Sequence, residues 1–530
     1  MNIKRKGSFY TPEDIALWMS ERVLKGFCEK PLIDVLEPSF GDGVFIKSVL
    51  SFSDTRPCCI DAVEYDKEAF RIVNEKYKKH SNLINEDFLF CSSLKKYDIV
   101  IGNPPYIVKK RLNKTQSEKC KDIHLNTGMK DREVANIWTS FLLKSSKLLK
   151  DEGVLGFVLP TELLQVNYTQ EIRRYLLSNF ERLEIVSFKK LAFKDIQQDT
   201  VILIAYKKAV LPKGLYFAEV SSVNELSPSE LLFEEHHGNH DVKWSSYILS
   251  ESDMSFIKDI TSRCKKISDL CTSVAGIVTA ANGYFIVTQD DVDAFELEGY
   301  VKKIIQKGMY VNGSVELLEK DYSSLKSTSK PCYLIDLNGI PESNFSKGLM
   351  EYLTKGVDQK IHERYKCKLR KRWYDVPSIW KSEGLFFKRG HHYPKLLVNK
   401  ANVHVTDAAY RINMKEGYDI ESLAASFYNS LTLLYSELSG RYYGGGVLEI
   451  TPNEFKQLPI PKYQVNRHEY KRFVKNFKEK SSIEQFVQEN DHNILSAIPQ
   501  ISKEEICLIN ELYKKVKNRR LRSTANENYT

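Results

Sequence analysis

The 530-residue chain has no apolar run long enough to cross a bilayer: its longest, such as Val154-Leu155-Gly156-Phe157-Val158-Leu159, are strand-sized, whereas a spanning helix needs about 20 such residues. Met1 to Tyr10 carries basic residues without the apolar segment of a secretory signal. Among the ten cysteines there is no CxxC and no Cys/His spacing typical of zinc. Free thiols in a reducing cytoplasm and no metal are therefore expected. Internal repeats, long low-complexity tracts and a convincing PD-(D/E)xK nuclease signature are also missing. What is present is 42% hydrophobic content, enough for two or three domains, and a net charge of +9. Such a charge permits a polyanionic partner without demanding one.

The most informative stretch is Tyr97-Asp98-Ile99-Val100-Ile101-Gly102-Asn103-Pro104-Pro105-Tyr106. Ile99 to Ile101 reads as a buried parallel strand, and the glycine and two prolines end it abruptly. Open α/β sheets bind ligands at that carboxyl edge. Two prolines stiffen the turn, so the Asn103 side chain and the Pro104 carbonyl stand as fixed acceptors beside the flat face of Tyr106. Acceptors beside an aromatic plane suit the exocyclic amino group of a planar base.

From the N-terminus, Thr11-Pro12 reads as the cap and first position of a helix with Ile15, Met19 and Val23 on one face. Leu32-Ile33-Asp34-Val35-Leu36 reads as a first strand, followed by Glu37-Pro38-Ser39-Phe40-Gly41-Asp42-Gly43 and an apolar helix. Gly41 and Gly43 allow close backbone approach, but Ile46 stands where a pyrophosphate loop has its third glycine. Glu37 repels phosphate and welcomes a cationic amino-acid end. Glu64 closes the second strand 21 positions after Gly43, the spacing of a carboxylate that holds ribose hydroxyls. Asp87-Phe88-Leu89 suits an adenine amino group and ring face, although an aspartate there equally reads as a turn or cap residue.

The lysine-rich segment 109–132 shows little periodicity and reads as a mobile loop over the site. Residues 135–149 have helical spacing; strands follow at 153–160, 183–188 and 200–206, with a helix around 171–177 between the first two. The short link from Phe188 to Thr200 predicts an antiparallel last strand. The expected fold is α/β, with a mostly parallel seven-stranded sheet covered on both faces, followed by an α+β domain. The expected boundaries are 1–212 for the first domain, 213–245 for a linker containing the histidine-rich Glu234 to His240, 246–462 for the second domain and 463–530 for a charged helical extension. Within the second half, 274–287 reads as a hairpin around Ala281-Asn282-Gly283. A basic-aromatic cluster spans Lys360 to Trp380, with Arg370, Lys371 and Arg372 at its centre, and a second cluster runs from Lys388 to Tyr393. These are the best nucleic-acid footprint in the chain. The glycines 444–446 read as a turn, and 523–530 as a disordered end.

Tyr10-Thr11-Pro12, the Glu37 to Gly43 segment, Glu64, Asp87-Phe88-Leu89 and Asn103-Pro104-Pro105-Tyr106, in this order, resemble the gamma class of amino-methyltransferases, the DNA adenine-N6 methyltransferases of type II restriction-modification systems. The resemblance covers about the first 210 residues. It implies that 1–212 is a Rossmann-like S-adenosylmethionine-dependent methyltransferase domain, the catalytic domain, and that 246–462 is a C-terminal α+β target-recognition domain. It implies S-adenosyl-L-methionine as cofactor, bound by Thr11, Glu37, Gly41, Gly43, Glu64, Asp87, Phe88 and Asn103. It further implies a flipped adenine in double-stranded DNA held by Asn103 and Pro104, with Pro105 shaping the turn, stacked on Tyr106 and backed by Tyr206. A cognate restriction endonuclease acting on the same site and a monomer or weak dimer, free of membrane, complete the expectation. An enzyme of the same motif acting on RNA or a protein glutamine is the competing reading, as is a catalytically silent DNA-recognition subunit. The first would not need some 300 further residues with basic-aromatic clusters, and the second predicts decay of a motif that is intact.

Overall fold

The computed structural model describes residues 11–129, 134–189, 199–209, 211–226, 231–236, 243–311, 313–443, 446–462 and 464–521. They form two compact units, 1–251 and 252–530. Among them no helix is long and apolar enough to cross a membrane.

The first unit is built on one sheet. Its strands are β1 (Ile33–Glu37), β2 (Cys58–Val63), β3 (Ser81–Ile84), β4 (Tyr97–Gly102), β5 (Leu149–Pro160), β6 (Arg182–Phe188), β7 (Thr200–Tyr206), β8 (Gly214–Val220) and β9 (Glu234–Glu235), in the order β3-β2-β1-β4-β5-β7-β6-β8-β9. Strands β1 to β5 run parallel, and β7 runs antiparallel between β5 and β6, as the short link requires. Because β1 leads outward to β2 and β3 while β4 returns to its other side, the strand order reverses at the carboxyl ends of β1 and β4. That reversal opens a crevice beside Glu37 and Asn103.

All six residues of β4 are buried. Ile99 and Ile101 face one core with α1 (Glu13–Leu24) and α2 (Val44–Leu50), while Val100 faces the other with α5 (Trp138–Leu148). This is the continuous apolar run of a strand covered on both faces. The amino edge of the sheet is tied by charges: Lys150 Nζ reaches Asp34 Oδ2 at 2.5 Å and Asp98 Oδ2 at 3.0 Å, and Lys30 also pairs with Asp98. Longer helices elsewhere in this unit are α3 (Lys67–Tyr77), α4 (Lys114–Asn126) and α6 (Gln170–Asn179).

Three sequence expectations are corrected here. The sheet has nine strands rather than seven, since two segments read as linker extend it: Gly214–Val220 pairs in parallel with β6 along its length, and Glu234–Glu235 pairs antiparallel with Gly214–Val220. The Leu215-Tyr216-Phe217-Ala218 run is buried, and the unit continues past Pro212 to residue 251. Much of the supposed loop 109–132 is α4, capped by Asn113, whose side chain accepts the Gln116 N–H at 2.8 Å; residues 130–132 lie outside the described structure. Pro12, not Thr11, precedes α1 as its cap, and the Thr11 hydroxyl is used elsewhere.

The second unit holds an antiparallel sheet of Cys271–Ala275, Ala409–Met414, Gly384–Phe387 and Lys395–Val398, in that order, and a smaller sheet that includes Val301–Ile305 and Tyr333–Ile335. The expected hairpin at 274–287 does not form. Cys271–Ala275 pairs with Ala409–Met414, and Asn282–Phe285 is a helical turn. Thr279 donates its hydroxyl to the Asn282 side chain and accepts the Ala281 N–H at 3.1 Å, which turns the chain before a hairpin can close. Gly446, at φ +73°, directly precedes Val447–Glu449, which pairs antiparallel with Arg441–Tyr443. Residues 444–445 and 522–530, and 237–240 of the histidine-rich segment, lie outside the described structure. Arg467–Glu479, Ile483–Leu495 and Lys503–Leu521 are the charged helices of the C-terminal part.

Candidate active site

A cavity of about 330 Å³ opens at the carboxyl edge of the sheet. It gathers Thr11, Glu37, Gly41, Glu64, Asp87, Phe88, Asn103 and Pro105, eight of the residues singled out from sequence and separated by up to 94 positions in the chain. Gly43 stands just behind it at φ +81°, starting α2, and a Cβ there would come within 3.0 Å of Val73 Cγ1. Its role is conformational, since a left-handed turn packed this closely requires glycine.

Glu64 organises the rim. Its Oε2 accepts the Gly41 N–H at 3.0 Å and its Oε1 the Asp66 N–H at 2.7 Å, so one carboxylate pins the glycine turn and the end of β2 together. Each oxygen keeps a further lone pair for a ligand hydroxyl. Burial pushes the carboxyl above its usual range, against the pull of those backbone donors. Glu37 is buried more deeply, its Oε2 has no hydrogen-bond partner among the described residues, and burial followed by Asp42 and Glu64 holds its carboxyl well above the ordinary value. Five carboxylates, Glu37, Asp42, Glu64, Asp66 and Asp87, face a single guanidinium, Arg111, around the cavity. An orphaned buried carboxylate in an acidic wall fits a cationic ligand.

Asp87 combines both readings open from sequence. Its Oδ1 accepts the Leu89 N–H at 3.0 Å as a turn residue does, while its Oδ2 accepts from Gln116 Nε2 at 2.9 Å at the cavity wall. Phe88 is buried against Phe141, ring centroids 4.9 Å apart, and Lys144 lies 4.7 Å over its ring while donating to the Cys91 carbonyl at 2.7 Å. Gln116, Phe141 and Tyr65 line the cavity although sequence reasoning passed over them. Tyr65 directly follows Glu64, and its position after the strand-ending acid was the available signal. Gln116 was hidden in a segment read as loop, and Phe141 in a segment read only as a helix.

The Asn103 amide is oriented from both ends. Its Nδ2 donates to Thr11 Oγ1 at 3.1 Å, and its Oδ1 accepts the Tyr106 hydroxyl at 2.9 Å; that hydroxyl also lies 3.0 Å from the Val158 carbonyl. The Ser39 hydroxyl donates to the Asn103 carbonyl at 3.2 Å. Burial pushes the Tyr106 phenol well above its usual value, with Glu162 adding to the shift. Pro104 is buried, and Pro105 faces the cavity.

Tyr206 does not join this group. It pairs with Val154 and Arg182, whereas Thr200 at the other end of β7 pairs with Pro160. Six residues of strand, about 20 Å, separate Tyr206 from the carboxyl edge. Its hydroxyl instead donates to Glu184 Oε2 at 3.3 Å, beside the ion pairs of Glu184 with Arg22 and Arg182, each at 2.7 Å. The assignment failed because a strand antiparallel to its neighbours carries its last residue to the edge opposite the site. The central arginines of the basic cluster are likewise committed. Arg370 donates to the carbonyls of Thr279 and Trp373, and Arg372 to those of Leu337 and Ile340 while pairing with Asp375 at 2.8 Å.

Residues 41–193 match the family described as Eco57I restriction-modification methylase, and residues 241–495 match the C-terminal domain of the type II methyltransferase M.Eco57I. Both halves of the chain are thus similar to type II restriction-modification methyltransferases. The type II methyltransferase M.AccI of Acinetobacter calcoaceticus is 26% identical over 481 residues, which cover 86% of this chain and 85% of the relative. M.HincII of Haemophilus influenzae is 26% identical over 222 residues, 42% of this chain and 40% of that one. The chain thus spans most of the first relative and less than half of the second. Among solved structures, the type IIL restriction-modification enzyme MmeI in complex with DNA shares the fold at TM-score 0.59 and 14% identity, over 98% of this chain and 77% of that one. The DrdV–DNA complex follows at 0.51 and 13%, over 90% and 57%.

Proposed function

We propose that this protein transfers the methyl group of S-adenosyl-L-methionine to N6 of an adenine swung out of double-stranded DNA, marking host sites against a cognate restriction endonuclease in the cytoplasm. The observation that carries the reading is the Thr11–Asn103–Tyr106 chain of hydrogen bonds at the mouth of an acidic cavity. The cofactor supplies an electrophilic methyl on a sulfonium. The residues present fit it: Glu64 for the ribose hydroxyls, Asp87 for the adenine amino group, Phe88 for the ring, and the Glu37 wall for the cationic amino-acid end.

An aromatic amino group is a poor nucleophile while its lone pair is delocalised into the ring. Thr11 takes the Asn103 NH₂, so the Oδ1 is the end presented as an acceptor. Together with the Pro104 carbonyl it holds both N–H bonds of the target and favours the pyramidal nitrogen whose lone pair is released. The extra proton on nitrogen after transfer is shared with these acceptors until it passes to water. Tyr106 offers the stacking face that offsets part of the cost of extrusion. Target recognition falls to the second unit.

Incubation of mixed-sequence DNA with labelled S-adenosylmethionine, followed by digestion to nucleosides and single-base mapping, tests this. Label in N6-methyladenine at one short sequence is expected. Label only in cytosine, or equal labelling of RNA, overturns it.

A further inference from the structure

We propose that the segment following the Asn103–Tyr106 turn is a phosphate clamp for the DNA strand that carries the target base. The inference rests on the DNA-methyltransferase reading above. Between 109 and 121 the chain has six basic residues and one acidic one, Glu118. The 3-10 turn Lys109–Arg111 and the start of α4 enclose a shallow depression of about 650 Å³ whose wall holds Lys109, Lys110, Lys114 and Lys121. Among the described residues, Lys110, Lys114 and Lys121 make no ion pair and no side-chain hydrogen bond. Lys114 and Lys121, seven residues apart, lie on one face of α4, about 10 Å apart along its axis.

A solvated basic helix face needs no rigid support, and this one has several. Asn113 and Gln116 form a capping box at the start of α4. Val108 bridges to Asn136, and the Lys109 N–H donates to the Ala135 carbonyl at 2.9 Å. On the inner face of the helix Cys120 and His124 are buried, with His124 Nε2 3.0 Å from the Thr139 hydroxyl. Gln116, between Lys114 and Lys121 on this helix, reaches across to Asp87 at 2.9 Å, so the same helix borders the cavity and carries the basic surface.

Position names the occupant. Lys109 follows Tyr106 by three residues, at most about 10 Å of extended chain. A base stacked on Tyr106 therefore brings the phosphates on either side of its own sugar towards this depression, and lysines neutralise such phosphates with release of counterions. The clamp and the cofactor cavity share one rigid helix, which keeps the extruded strand in register with the methyl donor.

The test is the triple variant Lys110→Gln, Lys114→Gln and Lys121→Gln, all on exposed side chains. Binding of a fluorescent duplex across a salt series should show a log–log slope shallower by about 2–3 and affinity weaker by roughly tenfold or more. Calorimetric affinity for S-adenosylmethionine should not change, since none of the three lines the cavity. On the mapped target, methylphosphonates beside the methylated adenine should weaken wild-type binding and barely affect the variant. An unchanged salt slope overturns the clamp. A flattened slope with an equal methylphosphonate penalty in both proteins overturns its assignment to the target strand. A wild-type protein that neither binds nor methylates DNA removes the underlying function, and the clamp falls with it.

Discussion

Replacing Glu37 by glutamine is expected to move stability and cofactor affinity in opposite directions. Glu37 is 2% exposed, its Oε2 has no hydrogen-bond partner among the described residues, and burial, then Asp42 and Glu64, raise its carboxyl well above the ordinary value. A folded value above the unfolded one means that folding takes up a proton. The stabilisation is fully present below about 4.5 and is lost as pH rises through the raised folded value. Glutamine cannot ionise, so wild type and variant should unfold at similar urea concentrations in acid, and the variant should become the more stable at alkaline pH. The cost of a buried polar group left unsatisfied, about 1–3 kcal/mol, sets the scale of the gap. Binding of S-adenosylmethionine should run the other way. A charge-assisted contact of about 1.5–3 kcal/mol is lost, which weakens affinity by roughly tenfold or more and flattens the rise of wild-type affinity with pH. Urea unfolding and calorimetry across pH read both quantities. A variant no more stable than wild type at alkaline pH, with cofactor affinity unchanged, refutes the reasoning.

Tyr106→Ala should lose methyl transfer and be partly rescued on a duplex whose target adenine is mispaired, because less extrusion energy then has to be offset; single-turnover transfer on paired and mispaired duplexes checks this. Tyr206→Ala should keep transfer within about threefold of wild type while losing roughly 1–3 kcal/mol of stability, since its ring packs at the other edge of the sheet. Arg372→Ala should cost about 2–4 kcal/mol in urea unfolding, through the lost Leu337 and Ile340 carbonyl contacts and the Asp375 pair, and leave the salt slope of DNA binding nearly unchanged. Exposed Lys366, Lys368 and Lys371 are the members of that cluster whose neutralisation should flatten it.

Local pattern made the parallel sheet and its site legible. Ile99 to Ile101 is apolar without interruption because β4 is covered on both faces, and the abrupt Gly102-Asn103-Pro104-Pro105 stop coincides with the strand's carboxyl end. Glu37, Glu64, Asp87 and Asn103 all close or follow strands, so a count of strands from sequence brings them to one edge. What local pattern does not carry is partnership over distance. The hydroxyl of Thr11 reads as a helix cap until Asn103 arrives from 92 residues away. Ala281-Asn282-Gly283 has hairpin chemistry, but Cys271–Ala275 finds its partner at Ala409–Met414. Arg370 and Arg372 look like phosphate ligands because their charge shows in sequence, while the carbonyls that occupy them do not. Strand direction decided Tyr206: a residue at the end of a parallel strand reaches the site, and the same residue at the end of an antiparallel one points away from it.

The central claim is that the Asn103 amide, held by Thr11 and Tyr106, activates the amino group of the target adenine. Single-turnover transfer of labelled methyl groups by Asn103→Ala, on the mapped duplex with saturating S-adenosylmethionine, tests it most directly. A fall of about 10²–10³ in rate is expected, from the loss of one preorganised acceptor. The fold and DNA affinity should stay intact, and a mispaired target should bring no rescue. Transfer to adenine N6 at the wild-type rate by the folded variant would contradict the account.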